Sequence, residues 1–232
     1  MVDSHGDASV LDRLYLLADD GATHLYLVRH AQAVFTGDDY LSGEADTPLT
    51  DLGVRQAEAV CGLLSREPVT AIYSSTMLRA LQTAQPLARA LKLPVIADSA
   101  LREFNPRLDV VEGEDAAAVR EQIVARFRAM AEGGELSAAP PVLGSGSGAG
   151  AVMRQRAVQA LDRLVERHPG GHVAVFTHGG VIISLLYHLL GATEPMRFLP
   201  VNGSVTQVLA KGDRRVLFTA NELAHLPAIT GA

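Results

Sequence analysis

Two apolar runs of strand length along this chain end abruptly in polar chemistry. Leu25 to Val28 runs into Arg29-His30, and Val173 to Phe176 runs into Thr177-His-Gly-Gly180. Short apolar runs bounded by polar residues read as buried strands. In open α/β sheets, ligands collect beyond the carboxyl ends of the strands. Two strands that each finish on a histidine therefore suggest one shared pocket.

The pattern between and around these runs predicts the remaining elements. Residues 1–21 form an N-terminal extension. In it, Ser9 to Asp19 reads as a short amphipathic helix with Val10, Leu11, Leu14 and Leu17 on one face, and it can pack on its own body or on a second subunit. Pro48 to Gly53 leads into a helix reaching about Arg66, with Thr50 or Asp51 able to cap its exposed amides. Ala71 to Ser75 reads as a buried strand and Pro94 to Ala97 as another. Between them, Thr76 to Leu91 has an apolar helical stripe of Leu78, Leu81, Ala84, Ala88 and Leu91, with Arg79 off the stripe in the first turn. Further helices are expected over Asp115 to Glu132, Ala151 to His168 and Gly179 to Leu190. A hairpin over Val205 to Ala210 and Arg215 to Ala220 turns at Lys211-Gly-Asp213.

Strands separated by helices predict an α/β fold: a three-layer sandwich around a mostly parallel sheet, with an antiparallel edge strand and helices on both faces. Residues 22–232 would form a single domain. Its lid or cap loops fall at about 33–47, 104–113 and 133–150, the last rich in glycine and serine.

Composition narrows the function classes. The 232 residues are 48% hydrophobic and 20% charged, which suits a folded globular protein. A formal net charge of −6 argues against nucleic-acid or anionic-membrane partners, which require a basic surface. One cysteine, Cys61, excludes an internal disulfide framework and reads as a small core residue. No basic region precedes an apolar stretch at the N-terminus, and no apolar run reaches the length of a membrane span. The expected location is the cytoplasm.

The candidate chemistry is that of a phosphate site. Arg29 is a permanent cation at the end of a buried strand, which makes sense where an anion awaits it. Arg79 opens a helix, and His178 precedes Gly179-Gly180 at another helix start, where bare amides and the dipole favour anions. Two arginines, two imidazoles and a helix N-terminus fit phosphoryl transfer, which relies on positioning and electrostatics. One neutral imidazole can attack phosphorus, the other can donate to phosphoryl oxygens, and a carboxylic acid is wanted to protonate the leaving alcohol. Glu103, Asp109 and Glu112 are the candidates for that acid, each also readable as a solvated loop charge. The histidine spacing matches no metal motif, and neighbouring arginines would repel a cation, so no metal is expected. His188 reads as a core or interface residue, and His168 and His172 as exposed residues flanking a turn.

Leu27-Val-Arg-His-Ala-Gln32 resembles the Arg-His-Gly signature of the histidine phosphatase superfamily, the phosphoglycerate-mutase-like proteins. The resemblance continues in order through Pro48-Leu-Thr-Asp-Leu-Gly-Val-Arg-Gln-Ala57, Ser75-Thr-Met-Leu-Arg-Ala-Leu-Gln-Thr-Ala84, Leu101-Arg-Glu103, Thr177-His-Gly-Gly180, Asn202 and Asn221-Glu-Leu-Ala-His-Leu226. It implies a phosphoglycerate-mutase-like α/β fold, His30 as nucleophile, and Arg29, Arg79 and His178 as a phosphate-binding set that Gln32 and Gly179 complete. Glu103 is the implied proton donor, with Glu112 or Asp109 as fallbacks, and no metal or organic cofactor is required. The chain departs from the pattern at Ala31, in place of the signature glycine, and at Ala33, where a hydroxyl commonly stands. The expected activity is hydrolysis of a small phosphorylated metabolite through a phosphohistidine. Two alternatives stand beside it: a phosphoglycerate-type mutase, and a weakly active scaffold that binds phosphorylated ligands. Mutases of this family carry a longer charged insertion, whereas no charge lies between Glu135 and Arg154 here. A homodimer built through the N-terminal helix is a further expectation.

Overall fold

The computed structural model describes residues 21–105, 109, 111–131, 148–191 and 198–226. The predicted helix over Ser9 to Asp19 and most of the glycine-serine loop lie outside the described residues. The elements run β1 (Thr23–Arg29), α1 (Asp38–Leu41), α2 (Asp51–Leu64), β2 (Ala71–Ser75), α3 (Leu78–Leu91), β3 (Val95–Asp98), a 3-10 turn (Ser99–Leu101), α4 (Ala116–Ala131), α5 (Gly148–Arg167), β4 (His172–Thr177), α6 (Gly179–Leu189), β5 (Val205–Lys211) and β6 (Arg214–Glu222). The six strands form one sheet in the order β3-β2-β4-β1-β5-β6. The β3-β2-β4-β1 pairs are parallel, and β5 and β6 continue the sheet antiparallel. This is the expected mixed α/β architecture, with the hairpin turning at Gly212 (φ +53°).

Alternation along the strands builds two cores. Leu25, Leu27, Val173 and Val175 face one side, where α5 and α6 cover them with Met153, Ala157, Leu161, Val181, Ile182 and Leu185. Tyr26, Val28, Ala174 and Phe176 face the other, under Val60 and Leu64 of α2 and Ala84 and Leu87 of α3. A period of two therefore sends alternate residues of each strand into opposite cores. Helix α2 begins where its cap chemistry predicts, because the Thr50 side chain accepts from Gly53 N.

Several sequence expectations need correcting. The buried face of α3 is Arg79, Ala80, Thr83, Ala84 and Leu87, so the apolar stripe is rotated by about one residue and Leu78 is exposed. Helix α5 starts at Gly148, so the last three residues of the expected glycine-serine loop are helical. His188 is exposed, which removes the core alternative for it and leaves the interface one. His168 and His172 are half-buried: His168 Nε2 bonds the Tyr73 hydroxyl at 2.9 Å, and His172 Nδ1 bonds the Tyr26 hydroxyl at 2.9 Å. His24 stacks on His172 with ring centroids 4.1 Å apart, at the end of β1 away from His30. Among the described residues, no helix is long and apolar enough to cross a membrane.

Candidate active site

Strands β1 and β4 lie side by side in parallel, with Arg29 opposite Thr177. The next residue of each strand is a histidine, so register alone brings His30 and His178 together. His30 N donates to Thr177 O at 2.8 Å, Asn202 Nδ2 donates to His30 O at 2.9 Å, and the neighbouring Ala31 N donates to Thr83 Oγ1 at 3.0 Å. The two rings sit 5.1 Å apart between centroids, inclined at 58°. Both residues are buried.

The protonation of His30 follows from its partners. Its Nδ1 lies 2.8 Å from Ala31 O, a pure acceptor, so Nδ1 carries the proton. Nε2 then holds the lone pair, and it accepts from Arg79 Nε at 3.3 Å. Burial, with the positive charges of Arg79 and Arg29 added, holds the His30 pKa well below its ordinary value. His178 is pushed down in the same way, by burial first and then by Arg79. Both imidazoles are neutral at pH 7.

Arg79 is only 2% exposed, although it is a cation in the first turn of α3. It is held by Ala45 O, which accepts from Nη1 at 2.8 Å, and by the Tyr40 ring, whose centroid is 5.1 Å from Cζ. The same loop caps the helix, since Asp46 Oδ1 accepts from Leu78 N at 2.6 Å. Arg29 donates through Nη1 to Pro200 O, while its Nε is buried with no partner among the described residues. A Cβ at position 179 would lie 3.4 Å from that Nε, so glycine keeps the start of α6 close to the guanidinium. Two buried nitrogens here, Arg29 Nε and His178 Nδ1, have no hydrogen-bond partner among the described residues.

Of the three candidate acids, one reaches the histidines' surroundings. Glu103 Oε2 accepts from Gly180 N at 3.2 Å, in the first turn of α6, and its Oε1 accepts from Phe104 N at 2.9 Å. Its charge also acts on both Arg29 and Arg79. Asp109 is a correction: it is fully buried, and its carboxylate takes Arg156 Nε at 2.9 Å and Nη2 at 2.8 Å, plus Asn105 N at 3.0 Å. Both of its oxygens are engaged in that clamp, which suits a structural carboxylate better than a donor to a leaving alcohol. Glu112 is exposed in the turn beyond. The cap loop sits directly on the acid loop at Gly43 (φ +74°), where a Cβ would fall 2.0 Å from Phe104 O.

Gln32 is exposed, and its Oε1 accepts from Thr50 Oγ1 at 2.7 Å, so the side chain is tied to the start of α2 rather than to the arginines. Nothing in the sequence pattern marks a role for Tyr40, Asp46, Ser75 or Arg156. Arg156 was detectable only as a cation on a helix. Ser75 stood within a recognised stretch, but its partner is 103 positions away. Among the described residues, no group of three or more His, Cys, Asp or Glu is arranged to hold a metal ion. Chemically, the arrangement offers a neutral imidazole lone pair, two guanidiniums, a helix start and a carboxylate within one neighbourhood.

Comparison with known proteins places the chain as a whole. A probable phosphoglycerate mutase GpmB of Yersinia pestis is 31% identical over 211 residues, covering 87% of this chain and 94% of that protein. The structure of Bacillus stearothermophilus YhfR superposes with a TM-score of 0.69 at 26% identity, covering 88% of this chain and all of that one. A mycobacterial glucosyl-3-phosphoglycerate phosphatase, solved in complex with VO3, gives 0.62 at 27% identity, over 85% of this chain and 98% of that one. The family model of the histidine phosphatase superfamily (branch 1) matches residues 25–223, and the chain belongs to that superfamily.

Proposed function

We propose that the protein is a metal-independent phosphomonoesterase acting on a small phosphorylated metabolite through a phosphohistidine on His30. The observation that carries this reading is the state of His30: a neutral ring, oriented by Ala31 O, with its Nε2 lone pair beside the Arg79 guanidinium. Arg29 and Arg79 hold the phosphoryl oxygens, where arginine's planar donor set suits a tetrahedral anion. His178 and the amides at the start of α6 supply neutral donors. Gln32, tied through Thr50 to the start of α2, follows His30 by two positions.

Nε2 of His30 attacks phosphorus as the bond to the leaving oxygen breaks. Glu103, in its acid form, gives that oxygen its proton, so the alcohol departs and Glu103 is left as a carboxylate. The same carboxylate then takes a proton from water, whose oxygen attacks the phosphohistidine. Inorganic phosphate leaves and His30 returns neutral, so protons and phosphoryl group balance over the cycle.

A mutase is the second reading, favoured by the name of the Yersinia pestis relative. It would return the phosphoryl group to a rebound substrate instead of to water. The uncharged sequence between Glu135 and Arg154 supports hydrolysis, because it supplies no cations to close over a bisphosphate. The test is release of inorganic phosphate across sugar, glycerate, amino-acid and nucleotide phosphomonoesters. It is paired with rapid-quench labelling of wild type and His30→Ala under alkaline stop. Label on wild type alone, with phosphate release, is expected. Isomer formation without release would establish the mutase, and ligand binding with no turnover above His30→Ala would establish a scaffold.

A further inference from the structure

The hydroxyl of Ser75 touches both halves of this site. Ser75 closes β2, is fully buried, and its Oγ lies 2.8 Å from His178 Nε2. The same oxygen accepts from Met77 N at 3.2 Å, at the N-cap residue of α3, two positions before Arg79. A serine hydroxyl has one hydrogen and two lone pairs. Met77 N takes one lone pair, which leaves the hydrogen and the second lone pair to face His178.

Only one of the two imidazole tautomers uses that hydrogen. If Ser75 donates to Nε2, the ring proton sits on Nδ1 and every polar atom of the Met77–Ser75–His178 chain is satisfied up to that point. If Nε2 carried the proton, the Ser75 hydrogen would have no acceptor among the described contacts, and Nδ1 would present a lone pair. His178 Nδ1 is itself buried and has no partner among the described residues, on a ring whose centroid is 5.1 Å from that of His30. A lone pair there repels a phosphoryl oxygen, and an N–H binds it.

We propose that Ser75 is a positioning residue that fixes His178 as the Nδ1–H tautomer, so that Nδ1 presents a hydrogen-bond donor to the phosphoryl group carried to or from His30. This rests on the phosphoryl-transfer reading above. It adds to that reading which His178 nitrogen acts and what sets its proton.

The direct test is nitrogen NMR of full-length protein labelled with 15N-histidine, which distinguishes protonated from unprotonated ring nitrogens. The expected wild-type spectrum has His178 Nδ1 protonated and Nε2 bare, and Ser75→Ala is expected to shift the ring towards a tautomer mixture. A protonated Nε2 in wild type overturns the proposal, and so does an unchanged tautomer in Ser75→Ala. The wild-type spectrum requires no variant, so it decides even if Ser75→Ala fails to fold. Kinetically, Ser75→Ala is expected to lower kcat on the order of 10²-fold, the scale of one lost oxyanion donor, with KM nearly unchanged. Ser75→Thr, which keeps the hydroxyl, should recover most of it. Loss confined to KM, or no recovery in a folded Ser75→Thr, counts against the assignment. If wild type releases no phosphate and takes no label, the phosphatase reading fails while the spectrum still settles the tautomer.

Discussion

Replacing Asp109 with asparagine separates structural from chemical carboxylates in the acid loop. Asp109 has no exposed surface, and the Arg156 side chain is 19% exposed. Arg156 binds both carboxylate oxygens, and its Nη1 also donates to Ala100 O and Arg102 O at 2.9 Å each. One ion pair thus ties helix α5 to the segment that delivers Glu103. Asp109→Asn keeps the shape but strands a guanidinium against an amide. Breaking a fully buried pair costs roughly 3–5 kcal/mol, and the partial exposure of Arg156 places the loss near the lower end, about 3 kcal/mol. With a urea slope of roughly 2–3 kcal/mol/M, the unfolding midpoint should fall by about 1 M. The assay is urea unfolding followed by circular dichroism on wild type, Asp109→Asn, Arg156→Met and the double variant. The two losses should be strongly non-additive, because the second substitution removes a charge the first has already stranded. Phosphate release under folding conditions should fall far less than it does on loss of Glu103. An unchanged midpoint with turnover lost about 100-fold would refute the structural assignment and return Asp109 to the list of proton donors.

Arg79→Ala should lower turnover by about 10²–10³-fold or more while the unfolding midpoint moves little; equal loss of both would make Arg79 structural. Glu103→Gln should lower kcat by roughly 10²–10⁴-fold for alkyl phosphates, but much less for p-nitrophenyl phosphate, whose leaving group needs no proton. Equal loss on both substrates would remove Glu103 as the acid. Because burial and Arg79 depress the pKa of His30 and of His178, the unfolded chain binds protons below pH 6.5 that the folded chain refuses. Stability from this source is therefore full above pH 6.5 and falls as pH drops, by up to roughly 1.4 kcal/mol per pH unit for each histidine until its folded pKa is reached. Urea midpoints that stay flat or rise from pH 7 to pH 5 would contradict this. Gly53→Ala would place a Cβ 1.9 Å from Gln32 O, two residues after the proposed nucleophile. Thermal unfolding should show a loss of about 1–3 kcal/mol, and a neutral result would mean the backbone there yields freely.

The strand ends were legible because an apolar run that stops on a cation and an imidazole has few structural explanations. That pattern marks Arg29, His30 and His178 without any long-range information. Helix α3 was legible as a helix but not in its phase. A hydropathy pattern assigns Arg79 to the solvent side, whereas a guanidinium held by Ala45 O and the Tyr40 ring is buried beside Ala80 and Thr83. The same bias promoted Leu78, which is exposed. Carboxylates in an acidic loop look alike in sequence. Asp109 and Glu103 differ only through Arg156, 47 positions beyond Asp109, and through Gly180 N, 77 positions beyond Glu103. The histidines of the opposite strand end show the converse error: polar residues flanking a turn were read as exposed, but paired strand ends stack His24 on His172.

The position of the site follows from chain routing as much as from its residues. After β1 the chain passes through α1 into α2, which together with α3, the helix after β2, covers the Tyr26–Val28 face. After β4 it passes into α6, which covers the opposite, Leu25–Leu27 face. Neighbouring parallel strands whose following helices leave to opposite faces open a crevice between their carboxyl ends, the topological switch point of a doubly wound sheet. In this sheet only His30 and Ala31 on one side, and His178 and Gly179 on the other, stand at the first positions past β1 and β4. A slip of one residue in the β1–β4 register would exchange the core faces of one strand and carry its histidine out of line with the other. The two hydrophobic cores therefore fix the distance between the imidazoles. Substitutions that weaken the packing of Leu27 against Val175 or of Val28 against Phe176 should disturb phosphoryl transfer without touching a polar residue.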